Sequence, residues 1–380
     1  MRGLSEPGAS AENTNPDLST AISQVDTPLT IWKQVSAGQS HACAISTKGV
    51  LSCWGWNNSG QLGFNNGGEI ASLPTQVGKD SNWKAVAVGI YYTCAIQGTG
   101  ALYCWGDNSY GQLGVNKPGQ TPKHYRVGGN ALFASVSIGQ SHTCAKKKDG
   151  TLWCWGKNFY GQIGDGTTAN RNVPTRAGTG VGYTLVVTGE NHVCAMAGGG
   201  FYCWGGNDQG QLGNGTTADQ KSPVLVGAAG IWASISAGKS HTCGRRTNSS
   251  IWCWGSNFWG ELGNSISINS NTPVQVGTDY DWSSLALGED FTCAKKISGA
   301  IYCWGNNGYS QLAQPATLSY TATPLPVGTD TDWLLITAGQ KHVCATKSGG
   351  IYCWGYNYEG QIPDNSAWFD YFRAISAKSP

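Results

Sequence analysis

The stretch His192-Val193-Cys194-Ala195-Met196-Ala197-Gly198-Gly199-Gly200-Phe201-Tyr202-Cys203-Trp204-Gly205 decides the fold. Two short apolar runs flank a Gly-Gly pair, the pattern of a β-hairpin. A two-residue turn at Gly198-Gly199 makes Ala197 and Gly200 the hydrogen-bonded closing pair. Three pairs further back, Cys194 faces Cys203 at a non-hydrogen-bonded site, where side chains come closest. Upstream, Tyr183 to Gly189 reads as a strand entering a glycine. Downstream come a polar loop, Asn207-Asp208-Gln209-Gly210-Gln211-Leu212-Gly213, and a further extended segment, Pro223-Val224-Leu225-Val226-Gly227. No window carries the long apolar stripe of period 3.6 that a helix needs.

The same unit of about fifty residues occurs seven times. Its cysteines are Cys43/Cys53, Cys94/Cys104, Cys144/Cys154, Cys194/Cys203, Cys243/Cys253, Cys293/Cys303 and Cys344/Cys353, and each second member precedes Trp-Gly. Ser348-Gly349 repeats the two-residue turn. The other five turns are one residue longer, and their third residue is Gly49, Gly100, Gly150 or Gly299 in four, as a type I turn with a left-handed bulge residue requires. Ser249 departs from that rule, and the cysteine register survives throughout. Facing Cβ atoms lie within reach of a bridge, and each closed loop would stabilise the chain by about 2–3 kcal/mol. Buried free thiols of a reducing compartment are the competing reading, but an even count with no unpaired member favours an oxidising one. C-x8–9-C on facing strands lacks the spacing of structural zinc sites.

Alternation assigns the faces. Trp54, Trp105, Trp155, Trp204, Trp254, Trp304 and Trp354 point away from their cysteines and share a face with Ser52, Tyr103, Trp153, Tyr202, Trp252, Tyr302 and Tyr352. Small residues, Ala44 and Ala95 through Ala345 with Gly244 among them, lie across the hairpin. Each unit thus offers an aromatic face to a neighbour's sulfur face. No unit buries two faces alone, so an all-β closed ring of seven units follows.

Ala37-Gly38-Gln39-Ser40-His41, Gly238-Lys239-Ser240-His241 and Gly111-Gln112-Leu113-Gly114, combined with Cys-Trp-Gly-x-Asn, carry a resemblance. From about residue 32 to 363 the chain resembles the regulator of chromosome condensation repeat family, in its bacterial secreted or surface variant with paired cysteines. The resemblance implies a seven-bladed β-propeller of four-stranded blades. Units six and seven drift to Ser310-Gln311-Leu312-Ala313 and Gly360-Gln361-Ile362-Pro363. It also implies two alternative activities, guanine-nucleotide exchange on a small GTPase and secreted enzyme inhibition. The family's photoreceptor motif, Gly-Trp-Arg-His-Thr, is absent: the turns read Gly38-Gln39-Ser40-His41 or Gly288-Glu289-Asp290-Phe291.

With 55 glycines and 12% charged residues, the 380-residue chain suits one propeller over residues 26–380. A disordered leader is expected over residues 1–25, with no signal peptide present in this chain. Either Thr27-Pro28-Leu29 or the segment around Trp368-Phe369-Asp370-Tyr371-Phe372 could close the last blade. The net charge of +2 without a basic run speaks against nucleic acid, and no stretch is long and apolar enough to span a bilayer. His41, His142, His192, His241 and His342 share one repeat position and are expected to make a structural hydrogen bond within each blade. Asp279-Tyr280-Asp281 and Asp330-Thr331-Asp332 read as turn caps. No catalytic residue, cofactor or metal site is expected.

What varies at constant positions is left for a partner. The turn between the first two strands supplies Tyr91, Glu190, Lys239, Asp290 and Lys341. The Asn-to-Gly loop supplies Tyr110, Tyr160 and Trp259 among other aromatics, which either form a contact surface or lid the loop against the next blade. The sequence therefore reads as a non-enzymatic extracellular or cell-surface propeller that binds a protein or glycan through one ring face.

Overall fold

The hairpin read from the Gly198-Gly199 turn forms in the register its length dictates. In a computed structural model describing residues 31–117, 119–227, 231–347, 350–362 and 373–375, Ala197 pairs with Gly200, Ala195 with Tyr202 and Cys194 with Cys203. The longer turns keep that register, with Cys43 opposite Cys53, Cys94 opposite Cys104, Cys144 opposite Cys154, Cys243 opposite Cys253 and Cys293 opposite Cys303. The fourteen cysteines form seven bridges, each joining residues 9 or 10 apart whose Cα atoms are 4.1 Å from each other. So close an approach belongs to a non-hydrogen-bonded pair. Ser249, at φ +64°, adopts the left-handed conformation its glycine counterparts take at +79° to +99°. It preserves the turn at a cost of about 1–2 kcal/mol for a residue with a Cβ.

Seven four-stranded antiparallel sheets follow one another round the ring, each in sequential strand order. The first blade runs Trp32–Ala37, His41–Ser46, Leu51–Gly55 and Ala71–Gln76 from the axis outwards. The seventh, Leu335–Ala338, His342–Lys347 and Gly350–Gly355, takes its outer strand from Arg373–Ile375 near the C-terminus. The expected leader, Thr27-Pro28-Leu29, Ser348-Gly349 and Trp368 to Phe372 lie outside the described residues. Among the described residues there is no helix. Six outer strands contain a proline, Pro74, Pro122, Pro174, Pro223, Pro273 or Pro324. Lacking an N–H, proline keeps these open edges from templating further pairing.

The blades pack as their alternation requires. Cys43, Cys53 and Leu62 of the first blade meet Trp83, Ala95 and Trp105 of the second, and Cys344 and Cys353 meet Trp32, Ala44 and Trp54 where the ring closes. Between them, Cys94 and Cys104 lie against Trp155, Cys144 and Cys154 against Trp204, and Cys293 and Cys303 against Trp354. A polar latch accompanies the packing. Each Cys-Trp-Gly indole donates its Nε1–H to a backbone carbonyl in the Gly-Gln-Leu-Gly loop of the preceding blade, over 2.8–3.1 Å, from Trp105 to Gln61 round to Trp54 to Gln361. The loop is shaped for that indole: a Cβ on Gly114, at φ +70°, would stand 2.7 Å from Trp155 Nε1. The preceding Asn organises the loop from inside. Asn57 Oδ1 accepts from the Leu62 amide at 2.9 Å while its Nδ2 donates to the Phe64 carbonyl, and Asn207 repeats the first bond with Leu212.

Candidate functional site: one face of the ring

The first and third strands of a blade run in the same direction, so the turn after the first and the loop after the third emerge together. Backbone bonds stitch them: Asp107 N donates to Tyr91 O, Lys157 N to Ser141 O, Asn306 N to Asp290 O and Tyr356 N to Lys341 O, each at 2.9 Å. Both variable sets read from the sequence therefore lie on one face, the turns near the axis and the loops outside them. The cysteines take no part in that face. Cys104, Cys154 and Cys303 are fully buried like their partners Cys94, Cys144 and Cys293, so these are structural positions that no ligand can touch.

Near the axis, Ile90, Gln140, Glu190, Lys239, Glu289 and Gln340 help line a central channel of about 120 Å³. Charge gathers on blades four to seven. Lys239 Nζ donates to Glu289 Oε1 at 2.6 Å, and Lys341 Nζ lies 3.8 Å from Glu289 Oε2. Burial, then the neighbouring Glu289, pushes the Asp290 carboxyl up from its ordinary value. Lys239 is partly buried, which opposes its charge, yet the bond to Glu289 leaves its pKa raised. The structure thus gathers Lys239, Asp290 and Lys341 round Glu289, with Glu190 close enough to act on both Lys239 and Asp290. Tyr91 is exposed on the second blade.

Farther out, the loop aromatics form three groups. Tyr110 and Phe159 meet edge to face at 6.0 Å, and Lys157 Nζ lies 5.7–5.8 Å from the rings of Tyr110, Phe159 and Tyr160. Trp259 contacts Phe258 at 5.1 Å and Tyr320 at 6.0 Å. Tyr309 and Tyr356 stand 5.1 Å apart, with Lys341 Nζ 4.8 Å from Tyr309. Tyr110 and Tyr160 are therefore brought together, while Trp259 belongs to another group. Phe258 at 72% and Tyr358 at 79% exposure are not lids. Lys157 and Tyr356 escaped the sequence reading, although both occupy the x of Cys-Trp-Gly-x-Asn.

Three of the five histidines bond between blades, and none bonds within its blade through the ring as expected. His41, His192 and His241 place Nε2 2.7–2.9 Å from Oγ1 of Thr93, Thr242 and Thr292 in the following blade. Each threonine hydroxyl commits its proton to the Gln61, Gln211 or Glu261 carbonyl, so the imidazole Nε2–H must donate. The imidazole nitrogens of His142 and His342 have no hydrogen-bond partner among the described residues; the corresponding residue of the next blade is Val193 or Ala42. Burial lowers all five, to about 3 for His41, His142 and His241 and about 4 for His192 and His342. They are neutral structural groups. The aspartate pairs are likewise more than turn caps. Asp279 and Asp281 hold Lys296 Nζ at 2.7 and 3.2 Å, and Asp330 and Asp332 hold Lys347. Each lysine lies over an indole, Trp282 or Trp333, at 5.0 or 4.8 Å. Among the described residues no group of three or more His, Cys, Asp or Glu could hold a metal.

Fold and face together define a disulfide-pinned seven-bladed β-propeller with one chemically varied surface. The Regulator of chromosome condensation (RCC1) repeat matches residues 48–96, 99–145, 149–196, 198–244, 248–294 and 298–346, and the chain belongs to that family. It is 35% identical over 85 residues to the human Probable E3 ubiquitin-protein ligase HERC6, covering 22% of this chain and 8% of that protein. It is 36% identical over 84 residues to the Arabidopsis thaliana Ultraviolet-B receptor UVR8, covering 22% and 19%. The matches thus span a small part of both relatives. Saccharomyces cerevisiae Prp20p, whose binding properties to Gsp1p and histones are described with its crystal structure, shares the fold with a TM-score of 0.71 at 19% identity over 80% of each chain.

Proposed function

We propose that this chain is a non-enzymatic propeller of an oxidising compartment, outside the cell or at its surface, which captures a protein on the loop face. The observation that carries the reading is the meeting of both variable sets on that face, with exposed aromatics outside a partly paired charged rim. Aromatic groups that can desolvate beside fixed charges are the makings of interface hot spots. Seven bridges in a chain without a free cysteine support the compartment. The non-enzymatic reading rests on what the candidate groups do instead of catalysis: the histidines are buried and neutral, and the aspartate pairs are engaged with lysines. Exchange on a small GTPase, an activity the resemblance to the repeat family implies, is the second reading, but a reducing cytosol would not sustain the bridges. Affinity capture from the native extracellular milieu, repeated with Tyr110→Ala, Tyr160→Ala and Trp259→Ala combined, tests the proposal. Loss of a specific partner with an unchanged melting temperature is expected; undiminished capture of that partner would remove this face from its role.

A further inference from the structure

The aspartate–lysine–indole clamps of blades six and seven have an unfinished counterpart in blade three. Lys147 ends the second strand there, as Lys296 and Lys347 do in their blades, and its Nζ lies 3.6 Å from the Trp153 ring centroid. The clamping aspartates Asp279 and Asp281 stand three and one residues before Trp282. At the same offsets before Phe133 stand Asn130 and Leu132. The cation is kept and rests on Trp153, at the position of Tyr302 and Tyr352, while both carboxylates are gone.

Beside Lys147 opens a cavity of about 550 Å³ between the outer parts of blades two and three. Among the described residues Lys117, Arg126 and Lys147 line it, and no acidic residue does. Lys117 Nζ is 5.0 Å from the Tyr125 ring centroid. The lysines flanking Lys147 are engaged elsewhere: Lys146 Nζ donates to Thr184 O at 3.2 Å and Lys148 Nζ to Thr99 O at 2.9 Å. Asp149 is an exposed carboxylate outside the lining; bonds from the hydroxyl and amide of Thr151, and then the nearby charge of Lys147, lower its pKa. Arg246 in blade five also lacks an acid immediately before its first-strand indole, Ile231 standing there. Its guanidinium, however, lies 3.6 and 5.3 Å from the ring centroids of Trp252 and Trp232. Blade three instead sets its lysine beside an open volume.

We propose that this cavity binds an acidic sugar residue, a pyranose bearing a carboxylate or a sulfate, beside the end of the second strand of blade three and apart from the aromatic groups of the loop face. Three cations against the one neighbouring carboxylate, Asp149, leave a net positive lining that attracts an anion. The rest of the wall includes Val115, Ala131, Val173 and Pro174, an apolar surface for the C–H face of a sugar ring, while Asn116 and Tyr125 can meet its hydroxyls. The volume lies within the range of small-molecule sites.

Calorimetric titration of the full chain with a uronate disaccharide, a sulfated disaccharide and a neutral disaccharide tests this at low and high salt. Binding of either acidic sugar, weakened by salt and absent for the neutral one, is expected, and the stronger of the two names the source of the anion. Asn130→Asp with Leu132→Asp restores the clamp and should lower affinity at least 10-fold with an unchanged melting temperature; Lys147→Gln should weaken binding in the same direction. No binding of either acidic sugar at millimolar concentration, equal binding of the neutral one, or undiminished affinity of the double aspartate variant would overturn the proposal.

Discussion

The seam between blades five and six and the seam between blades three and four share almost everything. In the first, Trp304 donates to the Glu261 carbonyl at 2.9 Å; in the second, Trp204 donates to the Gln162 carbonyl at 3.1 Å. Each indole packs on the sulfur face of the blade before it. The seams differ at the buried imidazole. His241 donates to Thr292, whereas the His142 ring has no partner among the described residues where the next blade supplies Val193. The indole latch recurs at every junction of the ring, and the His–Thr bond is an addition to it. Leaving a buried polar group unpaired costs about 1–3 kcal/mol, a burden one seam carries and the other avoids.

Acid should strain both seams together and gives the largest expected effect. The folded histidines stay neutral down to about 3 or 4, whereas the unfolded chain protonates them near pH 6.5. The unfolded state therefore binds more protons below pH 6.5. Stability should be fully present above that pH and fall by about 1.4 kcal/mol per histidine per pH unit until the folded groups titrate. Calorimetric melting from pH 7 to pH 4 checks this, and a flat profile would break the account. Next in size, Trp204→Ala and Trp304→Ala should each cost about 3–5 kcal/mol and by similar amounts, since the latch is common; urea midpoints measure both. A large inequality would show that the seams differ in more than their histidines.

Exchanging the partners isolates that difference. Thr292→Val should cost about 1–3 kcal/mol, and Val193→Thr should recover about 1 kcal/mol by giving His142 an acceptor; equal responses in denaturation would dissolve the contrast. The smallest effect belongs to the sixth blade. Ala313 sits at φ +53° where the first five blades have a left-handed glycine, so Ala313→Gly should stabilise by about 1 kcal/mol, visible as a small rise in melting temperature.

The bridges and the alternating faces were legible because a hairpin turn carries the register of its own strands. Cys194 opposite Cys203 needed only the intervening residues, and Cys104, Cys154 and Cys303 found their partners by the same count. The indole latch was not legible, because Trp105 bonds a carbonyl 44 residues away that any side chain could accompany. The histidines misled for the same reason: His41 looks local, but its partner Thr93 belongs to the next blade. The aspartate pairs look like caps in sequence because Lys296 and Lys347 sit over a dozen residues downstream, across a strand and a turn. Of the candidate site, the common face followed from strand direction. The split of Tyr110 and Tyr160 from Trp259 did not, since it depends on how far loops of adjacent blades lean towards each other. The cavity beside Lys147 was invisible because it is made by missing charges at Asn130 and Leu132, which stand out only against the clamps of two other blades.

Every bridge closes within a single hairpin, and none joins one blade to another. Covalently, the molecule is a string of seven stapled beads, and its circle is shut only by contacts such as Trp54 on Gln361. A pull on the two ends would meet that non-covalent join first, opening the wheel into an arc while each staple kept its own hairpin from being drawn out. The staples thus govern how much length the chain can yield under load, and the latches govern when the circle gives way.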